Sequence, residues 1–308
     1  MSRGPTRLIL WCLALYVVFV VASDALSTYM LNRCVRLRRE SVAASRSARV
    51  VSLAPSITEV LFAIGAGDQV IGVTSHCDFP AEVTARARVG GYNTPNIELI
   101  LASRPDLVLV PQEGAIFGAY EKLRDLGLRV EPIAVTRLAD VGPAVRAIGK
   151  FAGHEAEADR LATELDARMG AVRRAVEGRT RVRTLLCVDH DPTIAAARGT
   201  FGDDLLRAAG AENVVTAALS SYPQLGLEGV LAAAPDVIVD VAMAPGTAED
   251  RANRARAYWG QWPEIPAVRA NRVLCLDPDI VVRPGPRLVD GLEALAKLLH
   301  PGAFRGGD

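Results

Sequence analysis

Apolar and polar positions along this chain fall into two recurring kinds of run. Short stretches rich in Val, Ile and Leu, without strict alternation, include "RVVSLAP", "QVIGVT", "LVLVPQ" and "RVEPIA". Between them lie segments with helical spacing, "SITEVLFAIGAG" and "YEKLRDLG". Near-continuous apolar strands separated by helices predict a parallel sheet covered on both faces. Ser56 is the expected N-cap of the first helix, with Glu59 at capping-box spacing and Gly65 or Gly67 ending it. From Ala139 to Val176 no strand-like run occurs, and Gly153 divides the tract. Beyond it Ala158, Leu161, Leu165, Met169, Val172 and Val176 recur at steps of three and four, which predicts one helix of roughly 22 residues, about 33 Å long. The alternation then restarts with "RTLLCVDHD", "FGDDLLRAAGAENVV" and "NRVLCLDPD". The closing helix, "RLVDGLEALAKLLHP", is predicted to bury Leu288, Leu292, Leu295, Leu298 and Leu299.

One phrase is written twice. "IELILASRPDLVLV" starts at Ile97, and "LEGVLAAAPDVIVD" starts at Leu227. Glu98 recurs as Glu228, Leu101 as Leu231, and Pro105-Asp106 as Pro235-Asp236, all at an offset of 130. The expected architecture is α/β: two similarly wound lobes joined by a long helix. The boundaries are an N-terminal lobe over 49–137, an inter-lobe helical segment over 138–177 and a C-terminal lobe over 178–308. A polar linker, 32–48, precedes the lobes.

The N-terminus changes the picture. "LILWCLALYVVFVVA", Leu8 to Ala22, follows Arg3 and Arg7 and carries no charge. It reads as the core of a signal peptide, or with the apolar continuation to Leu31 as an uncleaved anchor. Either implies export, with residues 1–31 removed or residues 8–31 holding the chain at the inner membrane. Charge argues against a polyanion partner: Lys+Arg and Asp+Glu number 35 each, without the basic excess that nucleic acid selects. The five cysteines show no CxxC or zinc spacing. Cys187 and Cys275 lie in strand-like runs, either as a disulfide or as two separate buried thiols.

In open α/β sheets ligands gather at the carboxyl ends of strands, and a cleft between lobes is a favoured pocket. The loops leaving those ends hold the aromatics Phe79, Tyr92 and Tyr222 and the polar groups Ser56, Gln112, Asp189, Thr193 and Asp279. His76 and His190 fall on such loops, one per lobe. With Asp279 they offer an alternative cation site, against the plainer reading of two exposed histidines. No GxSxG, HExxH, Walker loop or GxGxxG occurs, so no catalytic residue, cofactor or bond chemistry is expected. Cys77 beside His76 lacks an identifiable base and orienting partner.

"VSLAPSITEVLFAIGAGDQVIGVTSHCDFP", "ELILASRPDLVLV" and "RPGPRLVDGLEALAKLLHP" resemble the periplasmic substrate-binding proteins of cobalamin, haem and iron–siderophore ABC importers, nearest to the cobalamin-binding members. The resemblance covers roughly residues 49 to 303. It implies a class III two-lobe fold that holds a corrinoid, or a haem or ferric siderophore, between the lobes and delivers it, as a monomer, to the transmembrane subunits of an ABC permease. It also implies that Glu98 and Glu228 dock on permease arginines, although an acid in a helix's first turn is favourable without any partner. Phe79 and Tyr222 stand where relatives place aromatics against the ligand. Arg283 and Arg287, with Arg198, suit ligand carboxylates as well as a corrin side chain.

Overall fold

The computed structural model describes residues 48–112, 117–216, 220–242 and 246–304. The N-terminal segment predicted for export lies outside them. Among the described residues no helix is long and apolar enough to cross a membrane.

The first sheet is built from β1 (Val50–Ser52), β2 (Val70–Val73), β3 (Ala87–Arg88), β4 (Leu107–Pro111) and β5 (Val130–Ile133), in the order β3-β2-β1-β4-β5. Every pairing is parallel. Such strands are buried on both faces, which explains their unbroken apolar runs. The helices packed around them are α1 (Pro55–Ala63), α2 (Ile97–Ala102) and α3 (Phe117–Asp125).

The second sheet contains β6 (Val182–His190), β7 (Thr193–Ala195), β8 (Ala211–Asn213), β9 (Val237–Asp240) and β10 (Val273–Cys275). Its order is β10-β9-β6-β7, with β8 beside the first half of β6. Only β7, folded back on β6, runs antiparallel. The helices here are α6 (Phe201–Ala208), α7 (Leu227–Ala233), α8 (Ala248–Trp259), α9 (Pro266–Arg269), α10 (Pro278–Val281) and α11 (Leu288–Leu299). Linking the halves are α4 (Val141–Ala152) and α5 (Glu155–Val176), the latter of 22 residues.

The written repeat is a structural repeat. β4 lies beside β1 and β5 beside β4; likewise β9 lies beside β6 and β10 beside β9. Before each Pro-Asp pair the backbone turns through the left-handed region, at Arg104 (φ 50°) and at Ala234 (φ 41°). That turn ends α2 and α7, and the proline that follows cannot continue a helix.

Several sequence expectations need correcting. The N-cap of α1 is Ala54, without a side-chain cap, and Pro55 opens the helix; proline's fixed φ suits that place. Glu59 is therefore free to serve elsewhere. Leu161 is only partly buried while Ala162 is fully so, a one-residue rotation of the predicted stripe. Leu298 is 43% exposed, because seven other residues of α11, from Leu288 to Leu299, already fill its inner face. Of the two alternatives open for Cys187 and Cys275, the separate thiols are the one found: Cys77, Cys187 and Cys275 are all free, Cys275 only partly buried. Strand β9 separates the strands of the last two, which puts their Cα atoms roughly 9–10 Å apart, beyond the roughly 7 Å a disulfide spans.

Two contacts fix how the halves meet. In the first, α4 packs on α5 through Gly149, where an added Cβ would stand 2.2 Å from the Ala158 Cβ. In the second, Arg287 at the start of α11 reaches across to Glu59 of α1, with Nε 2.9 Å from Oε2 and Nη2 2.6 Å from Oε1. Glu59 is 3% exposed, so its charge depends on this bidentate partner. Arg168 of α5 adds bonds to Asp290 (2.6 Å) and Glu293 (2.9 Å) of α11.

Two stability changes follow. Gly149→Ala forces α4 and α5 apart and should destabilise by about 1–3 kcal/mol, read from urea unfolding. Arg287→Met strands the Glu59 carboxylate and should cost about 3 kcal/mol or more. Adding Glu59→Gln to Arg287→Met should recover part of that loss, as a double-mutant cycle by urea denaturation would record.

Candidate functional site

A cavity of about 460 Å³ opens between the two sheets, within the roughly 300–1,000 Å³ usual for small-molecule pockets. The carboxyl end of every strand of the first sheet contributes: Ser56 after β1, His76 after β2, Tyr92 after β3, Gln112 after β4, and Ile133 with Val135 at β5. The order β3-β2-β1-β4-β5 sends chains from β1 and β4 in opposite directions, and a crevice forms where they diverge. Facing them are Leu186 and Val188 of β6, Ala196 after β7, Phe201 and Gly202 of α6, Tyr222, and the segment from Val281 to Pro284.

Local chemistry shapes each loop. The guanidinium of Arg88 donates to the carbonyls of Thr74 (2.9 Å) and Cys77 (2.6 Å), pinning the loop that carries His76. The Cys77 thiol is buried between Thr58 (3.3 Å) and Thr74 (3.2 Å), so it faces the loop's inside and not the cavity. The Tyr92 turn closes on Gly90, whose φ is 112° and where a Cβ would meet Asn96 N at 2.5 Å; glycine alone fits there. The Tyr222 loop lies against β7, bonded from Ala195 N to Pro223 O (3.2 Å), Ala197 N to Ser221 O (3.0 Å) and Leu225 N to Thr193 O (2.9 Å).

The cationic wall is Arg283. Its guanidinium donates to Asp78 of the first lobe at 2.6 Å and pairs with Asp279 at 2.7 Å. Burial works against the charge on Asp78, but the hydrogen bond and charge of Arg283 outweigh it and hold the carboxyl below its ordinary range. For Asp279 burial prevails over Arg283, and the carboxyl is raised. Arg287, four residues on, carries the Phe79 ring over its guanidinium, 4.1 Å from carbon to centroid.

Of the residues expected to meet a ligand, Ser56, His76, Tyr92, Gln112, Tyr222 and Arg283 line the cavity. Phe79, Asp189, Thr193 and Asp279 do not. Phe79 caps Arg287 and stays 44% exposed. Thr193 bonds the Tyr258 hydroxyl, Asp189 holds the His190 amide, and Asp279 is spent on Arg283. Arg198 is exposed and outside the lining. The proposed cation set of His76, His190 and Asp279 is not assembled: His190 Nε2 lies 2.6 Å from Asp240 Oδ2, and the one His/Cys/Asp/Glu group close enough to share an ion among the described residues is Cys187, His190 and Asp240. Sequence reading missed the apolar wall. Leu186 and Val188 could have been found from strand alternation at the end of β6, and Asn93 from its place beside Tyr92. Phe201 and Val281 carry no such signal, since each reaches the cavity from a helix.

Glu98 and Glu228 sit in the first turns of α2 and α7 and are exposed. Neither forms an ion pair among the described residues. Beside them the side chains of Leu99 (48%) and Leu227 (40%) are also exposed.

These features can be set against known proteins. Residues 50–280 match the family model described as "Periplasmic binding protein". An uncharacterized ABC transporter substrate-binding lipoprotein of Bacillus subtilis is 31% identical over 264 residues, which are 83% of this chain and 81% of that one. Among solved structures, the periplasmic vitamin B12 binding protein BtuF of Vibrio cholerae superposes with a TM-score of 0.75 at 26% identity, covering 84% of this chain and 99% of the other. The periplasmic heme-binding protein RhuT from Roseiflexus sp. RS-1, in apo form, gives 0.73 at 26% identity, covering 84% and 100%. Two α/β lobes, a helical link and a cleft at facing strand ends place this chain in the periplasmic binding protein family.

Proposed function

We propose that this chain is the extracytoplasmic solute-binding component of an ABC importer, and that it captures a corrinoid or a related metal chelate in the cleft and delivers it to the permease. Family membership supports the solute-binding part. The observation that carries the ligand class is the make-up of the cleft: two tyrosines, Tyr92 and Tyr222, with an apolar wall and a single arginine, Arg283. Aromatic faces and apolar side chains suit a broad, flat macrocycle, and a cation suits its acidic or amide edge. Relatives bind vitamin B12 in one case and heme in another, so haem or a ferric siderophore is the second reading. Arg283 favours that second reading, because it would exchange Asp78 for a carboxylate of the ligand.

Glu98 and Glu228 are the proposed docking points for the permease, as exposed anions on equivalent turns of the two lobes. Residues 8–31 would tether the chain if uncleaved.

The ligand class is tested by exposing purified protein to cyanocobalamin, haemin and a ferric siderophore and recording its absorbance after gel filtration. One of the three should co-elute, and Tyr222→Ala should weaken its binding about tenfold; co-elution of none would defeat the chelate reading. For docking, Glu98→Ala combined with Glu228→Ala should impair uptake in cells while leaving the dissociation constant unchanged. A loss of affinity instead would assign these acids to the fold or the pocket.

A further inference from the structure

A second cluster of ligating groups lies behind the cavity wall. Successive side chains of a strand point to opposite faces, so Cys187 turns away from the cavity that Leu186 and Val188 line. In the parallel register of β6 and β9, Cys187 is the partner of Asp240, which puts both side chains on that hidden face. His190 closes over them from the end of β6, its Nε2 2.6 Å from Asp240 Oδ2. One ligand atom from each of the three residues falls within 4.8 Å of the others.

The surroundings hold each group in place. Trp259 Nε1 donates to Asp240 Oδ2 at 2.7 Å, and the Ala242 amide donates to Oδ1 at 3.2 Å. The Tyr258 ring stacks on the imidazole with centroids 4.2 Å apart and planes 5° from parallel. Its hydroxyl donates to the His190 carbonyl at 2.8 Å. Cys187 and Asp240 are buried, at 0% and 2% exposure. The His190 side chain keeps 21%, which leaves a way in from solvent.

We propose that Cys187, His190 and Asp240 bind one divalent ion of the zinc class, at a site separate from the cleft. Thiolate, imidazole and carboxylate are the zinc donor set. Bonds of about 2.0–2.3 Å place tetrahedral ligand atoms roughly 3.3–3.8 Å apart, so the His190–Asp240 contact of 2.6 Å must open by roughly 0.7 Å and the wider separations, within 4.8 Å, close by about 1–1.5 Å at most. The ion displaces the proton of the Cys187 thiol, which is released to solvent, and takes the lone pair of His190 Nε2, whose hydrogen passes to Nδ1 of the neutral imidazole. Water, or the Asp189 carbonyl that now accepts from Cys187 Sγ at 3.1 Å, completes the coordination. Trp259 and Tyr258 orient the carboxylate and the ring from outside. Burial pushes the thiol well above its ordinary pKa, so Cys187 is no nucleophile and becomes a thiolate only against a cation. The bound ion would fasten β6 to β9 directly behind Leu186 and Val188, stiffening one wall of the cleft without touching its occupant.

The test uses metal-stripped full-length protein titrated with Co²⁺ as a spectroscopic probe and Zn²⁺ as competitor. A sulfur-to-cobalt charge-transfer band should saturate at one equivalent and be discharged by Zn²⁺, and Zn²⁺ should raise the melting temperature. Cys187→Ser should abolish the band. Because that change lies in the core, His190→Gln, at a partly exposed position, is the second variant; it should weaken Co²⁺ binding at least tenfold with an unaltered circular dichroism spectrum. His76→Ala and Cys275→Ser should leave the band intact. Absence of the band in folded wild-type protein would overturn the proposal and leave a hydrogen-bonded network only, as would a band undiminished in His190→Gln. Chelate binding in the cleft is measured separately on His190→Gln and should be unchanged, so failure of either site is read independently of the other.

Discussion

The Glu59 carboxylate is buried in the first lobe, and the guanidinium that neutralises it comes from the second. A lone charge at that depth costs several kcal/mol, so the two lobes cannot drift far apart without exposing or stranding it. The bond is bidentate, which fixes angle as well as distance. Ser56 lies on the same helix, one turn before Glu59, and Arg283 lies four residues before Arg287; Ser56 and Arg283 both line the cavity. The pair thus sets the spacing of two opposed walls from a point just behind them.

Around that anchor the molecule relies on rigid elements. The α4–α5 hairpin permits close approach because Gly149 has no side chain to obstruct Ala158, and α5 is tied to the closing helix through Arg168. Arg283 differs from these. It bridges Asp78 and Asp279 at the cavity surface, and Asp78 keeps more than half of its side-chain exposure. A contact of that kind is weakly held, whereas the buried Glu59 contact is not. Arg283 thus makes the more exposed contact, and Arg287, four residues later, makes the buried one that keeps the frame.

Both halves end their strands at the cleft for the same topological reason. In each, a helix closes with a left-handed residue, a Pro-Asp pair follows, and the next strand pairs beside the lobe's first one. The second half adds an antiparallel return strand, β7, on which the Tyr222 loop is laid; the strands described in the first sheet are all parallel. It also adds α8, whose Trp259 and Tyr258 pack under the sheet against His190. The lobes are related in winding and unlike in the chemistry they bring to the cleft.

The sequence by itself determined the class of fold, the duplicated helix–strand phrase, the 22-residue link after Gly153 and the loops from which six cavity residues come. These are local properties, carried by periodicity, by Gly and Pro, and by the rule that parallel strands deliver their ligand groups at one end. Strand β7 and helix α8 escaped it: the first is only three residues long, and the second is mostly polar on a surface with few buried positions. Tertiary structure alone decided how the polar side chains are used. Glu59 looked like half of a capping box and is an inter-lobe anchor; Phe79 looked like a ligand platform and lies on Arg287; His190 looked like a partner for His76 and turns instead to Asp240. Each of those outcomes joins residues more than 45 positions apart, and no local pattern encodes which distant charge or ring a side chain will meet once the sheets are stacked.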